Sequence, residues 1–146
     1  GEAIAKSMFE MAKLRVPVIA IIVGEGSSGG ALAIGVGNKV YMLENAIYSI
    51  LSPEGYSSIL WKDASRFKEA AEKMKLTAED LLELKVIDKI IKEPKEDLEE
   101  AFKKTAKSLK KEIISAMKEF KTMSEEEIIE QRYLKFRNMG EVIKLK

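Results

Sequence analysis

An apolar run of strand length, Val18 to Val23, leads directly into Gly24-Glu25-Gly26-Ser27-Ser28-Gly29-Gly30-Ala31. No other stretch restricts the fold as strongly. The mostly β-branched run predicts a strand buried on both faces. Ala31-Leu32-Ala33-Ile34 is small and apolar, which suits a buried helix. The glycines between them tolerate positive φ and let another group approach the backbone closely. A helix start offers unpaired N–H groups and a partial positive charge. Strand, glycine turn and helix therefore make an anion site. It suits a phosphate, or an oxyanion that exists only during reaction. A tight turn built from small residues purely for packing accounts for the motif about equally well.

The phosphate reading fits poorly. A P-loop places Lys and Ser/Thr where this chain has Ala31 and Leu32. The dinucleotide spacing does occur at Gly24, Gly26 and Gly29, but the ribose-binding acid about 20 residues on could only be Glu44, after a strand of the wrong length.

Composition narrows the chemistry further. The chain has 146 residues, about one domain, with no cysteine and no histidine. That excludes disulfides, thiolate zinc sites, cysteine nucleophiles, histidine metal ligands and every Ser-His-Asp triad. Catalysis must rest on carboxylates, lysines, hydroxyls or the backbone. A net charge of +1 gives no hint of nucleic acid or an anionic membrane. No segment has the roughly 20 apolar residues needed to cross a bilayer. A cytoplasmic location is the default expectation. The chain opens inside a helical pattern, as a piece of a longer protein would.

Charge divides the chain. Residues 1–62 carry 10 of the 49 charged side chains and 8 of the 9 glycines. They read as a turn-rich core; the remainder reads as helices with one wet face. Ile4, Met8, Met11 and Ala12 mark a helix that Pro17 ends. Val40–Leu43 and Ile47–Ile50 read as short strands. Ser52-Pro53-Glu54-Gly55 reads as a turn into a helix around Ile59–Trp61. A helix is expected near Phe67–Met74, Thr77 reads as a helix cap, and Val86–Ile91 as a last strand. Leu98, Phe102, Ala106, Leu109, Ile113, Met117 and Phe120 recur at helical spacing, which predicts one long amphipathic helix from Glu96 to about Lys121. Its apolar stripe is expected to pack within the chain. Ser124-Glu125-Glu126-Glu127 is a capping box opening a final helix through Phe136.

Val16 to Gly35, including the whole glycine turn, closely resembles the α subunit of bacterial acetyl-CoA carboxylase carboxyltransferase. So do Tyr48 to Gly55, Ser58 to Lys62, Thr77 to Leu81, Ile87-Asp88 and Gln131-Arg132-Tyr133, in the same order. The chain departs from the family at Ser27 (usually Gly), at Tyr56 (usually smaller) and in a shortened loop after Pro94. The resemblance implies an α/β fold of crotonase/Clp-like type, in which ββα units stack into a spiral. Residues 1–93 would form part of that core and 94–146 a C-terminal helical extension. The chain would match the C-terminal portion of the subunit, with the family's early strands lying before Gly1. The implied activity is transfer of a carboxyl group from carboxybiotin, carried on a biotin carboxyl carrier protein, to acetyl-CoA, giving malonyl-CoA. The implied partner is a β subunit, in an α2β2 heterotetramer, that holds the acyl-CoA and a zinc. The implied site is the backbone of Gly29 and Gly30 as an oxyanion hole for the biotin ureido oxygen, with Gly26, Ser27 and Ser28 forming the carboxybiotin loop. No metal is expected in this chain, and a fragment alone is expected to be inactive.

Two rivals use other features. Ser28-Gly29-Gly30 after a strand is similar to the nucleophile motif of Clp-type and signal-peptide peptidases. There Ser28 would attack and a lysine would act as base. A non-enzymatic scaffold would rest on the stripe from Leu98 to Phe120. Trp61 is expected in the core or an interface, Glu54 at a helix cap, and Arg132 and Tyr133 against a partner subunit. The lysines at 103, 104, 107, 110 and 111 are expected on a solvated face.

Overall fold

The computed structural model describes residues 1–140. Helix α1 (Glu2–Lys13) precedes strand β1 (Ile19–Ile22), strand β2 (Glu25–Ser27) and helix α2 (Ser28–Ile34). Strands β3 (Lys39–Leu43) and β4 (Ile47–Ser49) lead to helix α3 (Pro53–Trp61), a 3-10 turn at Ala64–Arg66, and helices α4 (Phe67–Lys73) and α5 (Ala78–Glu83). Strand β5 (Lys89–Ile91), helix α6 (Leu98–Phe120) and helix α7 (Glu125–Arg137) complete the described part. Residues 141–146 of the expected helical extension lie outside it.

All pairing is parallel. One sheet has the order β1-β3-β5 and a second pairs β2 with β4. The chain thus places one strand in each sheet and then a helix, twice in succession: β1, β2, α2, then β3, β4, α3. Parallel neighbours need such crossovers, because a tight hairpin can join only antiparallel strands.

The strand buried on both sides is β3, not β1. Val40, Tyr41, Met42 and Leu43 are all buried, whereas β1 buries only Ala20 and Val23 is exposed. Among the described residues β3 lies between β1 and β5, whereas β1 pairs with β3 alone. β5 is shorter than the expected Val86–Ile91 run because Asp88 leaves the strand pattern. Its carboxylate accepts from the Val40 N–H (2.6 Å) and from Lys135 Nζ. Burial pushes the Lys135 ammonium below its ordinary pKa, and the Asp88 pairing opposes that.

Side-chain caps start most of the later helices. Ser52 accepts from the Gly55 N–H at 3.2 Å with Pro53 at the first helical position, so the expected turn at 52–55 is already helix α3. Ser52, not Glu54, is the cap. Thr77 and Asp97 cap α5 and α6. Ser124 and Glu127 form the expected capping box of α7.

One hydrophobic core runs from Ala20 and β3 through Leu81, Ile87 and Ile91 to Ala116, Phe120 and Ile128. The stripe on α6 therefore divides. Its C-terminal turns close the core, while Leu98 and Phe102 are 88% and 72% exposed. Lys103 pairs with Glu99 and Glu100, and Lys104 with Glu96, on the solvated face expected for them. Trp61 is half-buried and outside the core: Arg66 stacks on its ring at 4.2 Å and Tyr56 meets it edge-on at 5.6 Å.

Arg132 is the largest departure from expectation. It is 2% exposed and faces inward rather than toward a partner. Its guanidinium donates to the carbonyls of Met11, Ala12, Leu14 and Val16 (2.7–3.2 Å) and to Asn38 Oδ1 (2.8 Å). The first two are last-turn carbonyls of α1, where the helix carries its partial negative charge; Met11 O also accepts from the Leu14 N–H at 3.3 Å. Asn38, also buried, accepts from the Val18 N–H and donates to Ile128 O and Gln131 Oε1. These bonds join α1, the start of β1, the turn before β3 and α7. Tyr133, its neighbour, is exposed.

Candidate functional site

The glycine turn is folded as the short strand β2 running straight into α2. In β2, Glu25, Gly26 and Ser27 pair in register with Ile47, Tyr48 and Ser49. The Ile47 N–H donates to Gly24 O at 3.0 Å. Ser27 Oγ lies 3.4 Å from Ser49 Oγ. The turn is thus fastened to β4 along its length rather than looping free.

The positive φ that the glycines were expected to supply falls on Ser28, at +65°. No glycine of this turn has a positive φ. A left-handed conformation at a non-glycine residue costs roughly 1–2 kcal/mol. Ser28→Gly is therefore expected to stabilise the protein by about 0.5–1 kcal/mol, measured as the shift in denaturant midpoint at constant slope. An unchanged or lower midpoint would show that Ser28 is not strained.

The two glycines that open α2 differ. A Cβ on Gly29 would lie 2.8 Å from Ile4 Cδ1 of α1, so packing alone explains that residue. A Cβ on Gly30 would meet nothing within 4 Å. Packing does not explain Gly30, which borders a groove of about 620 Å³ between α1 and α2, lined also by Ile4, Met11, Ala33 and Ile34. Of α2 only Ala33 is buried, and Ile34 is 71% exposed, so α2 is not the buried helix expected. It packs on α1 along one side, meets Tyr48 along another and leaves Ile34 open.

The start of α2 is bare. Its N-cap residue, Ser27, makes no side-chain cap, and the first turn carries no acid. The first-turn N–H groups of Ser28, Gly29 and Gly30 have no acceptor inside the helix. They stay available to an incoming anion, next to the exposed residues Ser27, Ser28 and Gly30. Ser28 has no hydrogen bond to a lysine among the described residues, so the base required of a serine peptidase is not in place. Among the described residues no group of three His, Cys, Asp or Glu side chains is placed to hold a metal.

Sequence reasoning placed Gly26 to Gly30 together at one strand-to-helix junction, and the structure does the same. It missed Tyr48, whose ring lies under the junction, and the inward direction of Arg132. For Arg132 a signal existed: it stands four residues after the buried Ile128, on the same face of α7.

This architecture is shared with solved proteins of low sequence identity. The transcarboxylase 12S structure with methylmalonyl-coenzyme A and methylmalonic acid bound matches with a TM-score of 0.63 at 20% identity, over 81% of this chain and 22% of that one. The Pseudomonas malonate decarboxylase heterotetramer in complex with coenzyme A matches at 0.58 and 17%, over 72% and 44%. The fold is therefore the mixed α/β fold of carboxyltransferase-type domains.

The sequence is more specific. Residues 1–140 match the family described as acetyl co-enzyme A carboxylase carboxyltransferase-like, and the chain belongs to that family. It is 53% identical over 140 residues to the acetyl-coenzyme A carboxylase carboxyl transferase subunit alpha of Clostridium botulinum (strain Alaska E43 / Type E3), covering 96% of this chain and 51% of that protein. It is 50% identical over 143 residues to the same subunit of Clostridium acetobutylicum, covering 98% and 52%. The chain spans about half the length of the curated relatives it matches. The comparisons do not support the peptidase.

Proposed function

We propose that this chain is the part of a carboxyltransferase α subunit that receives carboxybiotin, in an enzyme moving its carboxyl group to acetyl-CoA to form malonyl-CoA. The observation that carries the reading is the uncapped, outward-facing start of α2 in a chain half identical to such subunits over nearly its whole length. The alternation of β1, β2, α2 with β3, β4, α3 supports a crotonase-type spiral of ββα units, with residues 94–146 as its helical extension.

In this reading the Gly29 and Gly30 N–H groups donate to the ureido oxygen of biotin. When the N–C bond to the carboxyl group breaks, its electron pair stays with the ureido group, and charge appears on that oxygen. The same ureido nitrogen then takes a proton from the acetyl methyl, and the resulting carbanion captures the carboxyl carbon. No side-chain base is needed, which suits a chain without histidine. The loop residues Gly26, Ser27 and Ser28 shape the approach of the ring. Carboxybiotin arrives on a carrier protein, and a β subunit with its zinc presents the acyl-CoA, in an α2β2 assembly in the cytoplasm.

The test is carboxyl transfer in reverse, from malonyl-CoA to biocytin. A full-length α subunit containing this chain is mixed with the β subunit and compared with either alone. Carboxylated biocytin that forms only when both are present supports the reading; its absence from a folded complex overturns it.

A further inference from the structure

Two glycine positions around the turn share one neighbour. A Cβ on Gly26 would lie 3.1 Å from Tyr48 Cδ2. A Cβ on Gly35, which ends α2, would collide with the Tyr48 hydroxyl. That hydroxyl lies 3.4 Å from the Ala31 carbonyl, at the middle of the helix. The ring of Tyr48 therefore touches β2, the body of α2 and the end of α2, all from beneath. Gly26 and Gly35 are small because the ring occupies the space a side chain would take.

The surroundings make Tyr48 a fixed support. Its backbone N–H donates to Leu76 O at 3.3 Å, and Gly26 is its direct partner in the β2–β4 pairing. The ring borders two cavities. One, of about 320 Å³, lies under Ile22, Gly24 and Ala31; the other, of about 300 Å³, lies against Leu32, Tyr56 and Leu81. Tyr48 lines both. Burial also pushes the phenol above its ordinary pKa, which keeps it neutral beneath the helix.

We propose that the Tyr48 ring is a positioning residue that sets the height and angle of the Gly29–Gly30 donors by wedging between β2 and α2. The proposal rests on the carboxyltransferase reading above. It assigns the work to the ring and not to the hydroxyl, whose hydrogen bond is long. Donors aimed at charge that develops in the transition state affect turnover more than ground-state binding. A displacement of about 1 Å in such a group costs on the order of 100-fold.

The experiment uses the full-length α subunit assembled with β, and biocytin as acceptor. Tyr48→Leu is expected to lower kcat about 10- to 100-fold while the KM for biocytin changes less than about 3-fold. Tyr48→Phe is expected to recover most of kcat, since it keeps the ring. Gly26→Ala, which pushes a methyl onto the ring edge, is expected to lower kcat in the same sense. It carries the test if Tyr48→Leu does not fold. Wild-type kcat in a folded Tyr48→Leu complex overturns the proposal. So does an equal loss in Tyr48→Phe, or an effect confined to KM. If Gly30→Pro is inactive while Tyr48→Leu is fully active, only the role of Tyr48 falls. If the wild-type complex does not carboxylate biocytin, the carboxyltransferase reading falls and this one with it.

Discussion

Arg132→Met is expected to destabilise the protein by about 2–4 kcal/mol. The arginine is buried with no carboxylate beside it; its charge is met by four backbone carbonyls and Asn38 Oδ1. Methionine fills much of the volume but donates nothing. The Ala12, Leu14 and Val16 carbonyls then lose the arginine donor, while Met11 O keeps the Leu14 N–H, and a buried polar group left without a partner costs about 1–3 kcal/mol. Solvent can reach some of them, since α1 has no buried residue, which keeps the total below the sum. Arg132→Lys is expected to recover only part of the loss, because an ammonium cannot reproduce the planar fork. Denaturant unfolding with an unchanged slope reads the difference. A loss below about 1 kcal/mol for Arg132→Met would mean that α1 is held in place by something else.

Gly30→Pro is the second large effect, and it falls on activity. Proline removes one N–H, and that N–H belongs to the first turn of α2, where no intrahelical bond is lost. A Cβ at this position meets nothing within 4 Å, so the β-carbon side of the ring has room. The fold is therefore expected to survive with little change in thermal midpoint. Loss of one donor to a developing oxyanion costs about 10²–10³-fold in turnover. Reverse carboxyl transfer by the full-length complex should fall by that factor, with a much smaller effect for Gly30→Ala, which retains the N–H. Unchanged turnover in Gly30→Pro would remove Gly30 from the site.

Much of the local structure was legible because it is written in short-range chemistry. The caps at Thr77 and Ser124, the helical spacing on α6 and the strand-turn-helix at Val18–Ala31 all depend on residues within a turn or two of each other. The candidate site was legible for the same reason, since Gly26 to Gly30 are contiguous. The misplaced features are those in which contacts distant in sequence decide. Val18–Val23 and Val40–Leu43 both read as strands, and only the pairing shows that β3 lies between β1 and β5. The stripe from Leu98 to Phe120 has one uniform period, yet only its C-terminal part meets the core. Arg132 reads as a surface cation until α1 is brought against α7.

The sequence by itself determined the element types, the absence of histidine and cysteine chemistry, and the family to which the chain belongs. These follow from local propensity, from composition and from matching residues in order. Only the tertiary structure decided which strand is central, where a buried guanidinium goes, and what the glycines are for. Small residues mark places where something comes close, and a linear sequence does not say what. Here Ile4 presses on Gly29, the Tyr48 ring on Gly26 and Gly35, and nothing on Gly30. That difference follows from packing across the chain, because the space beside a glycine Cα depends on which distant side chains reach it.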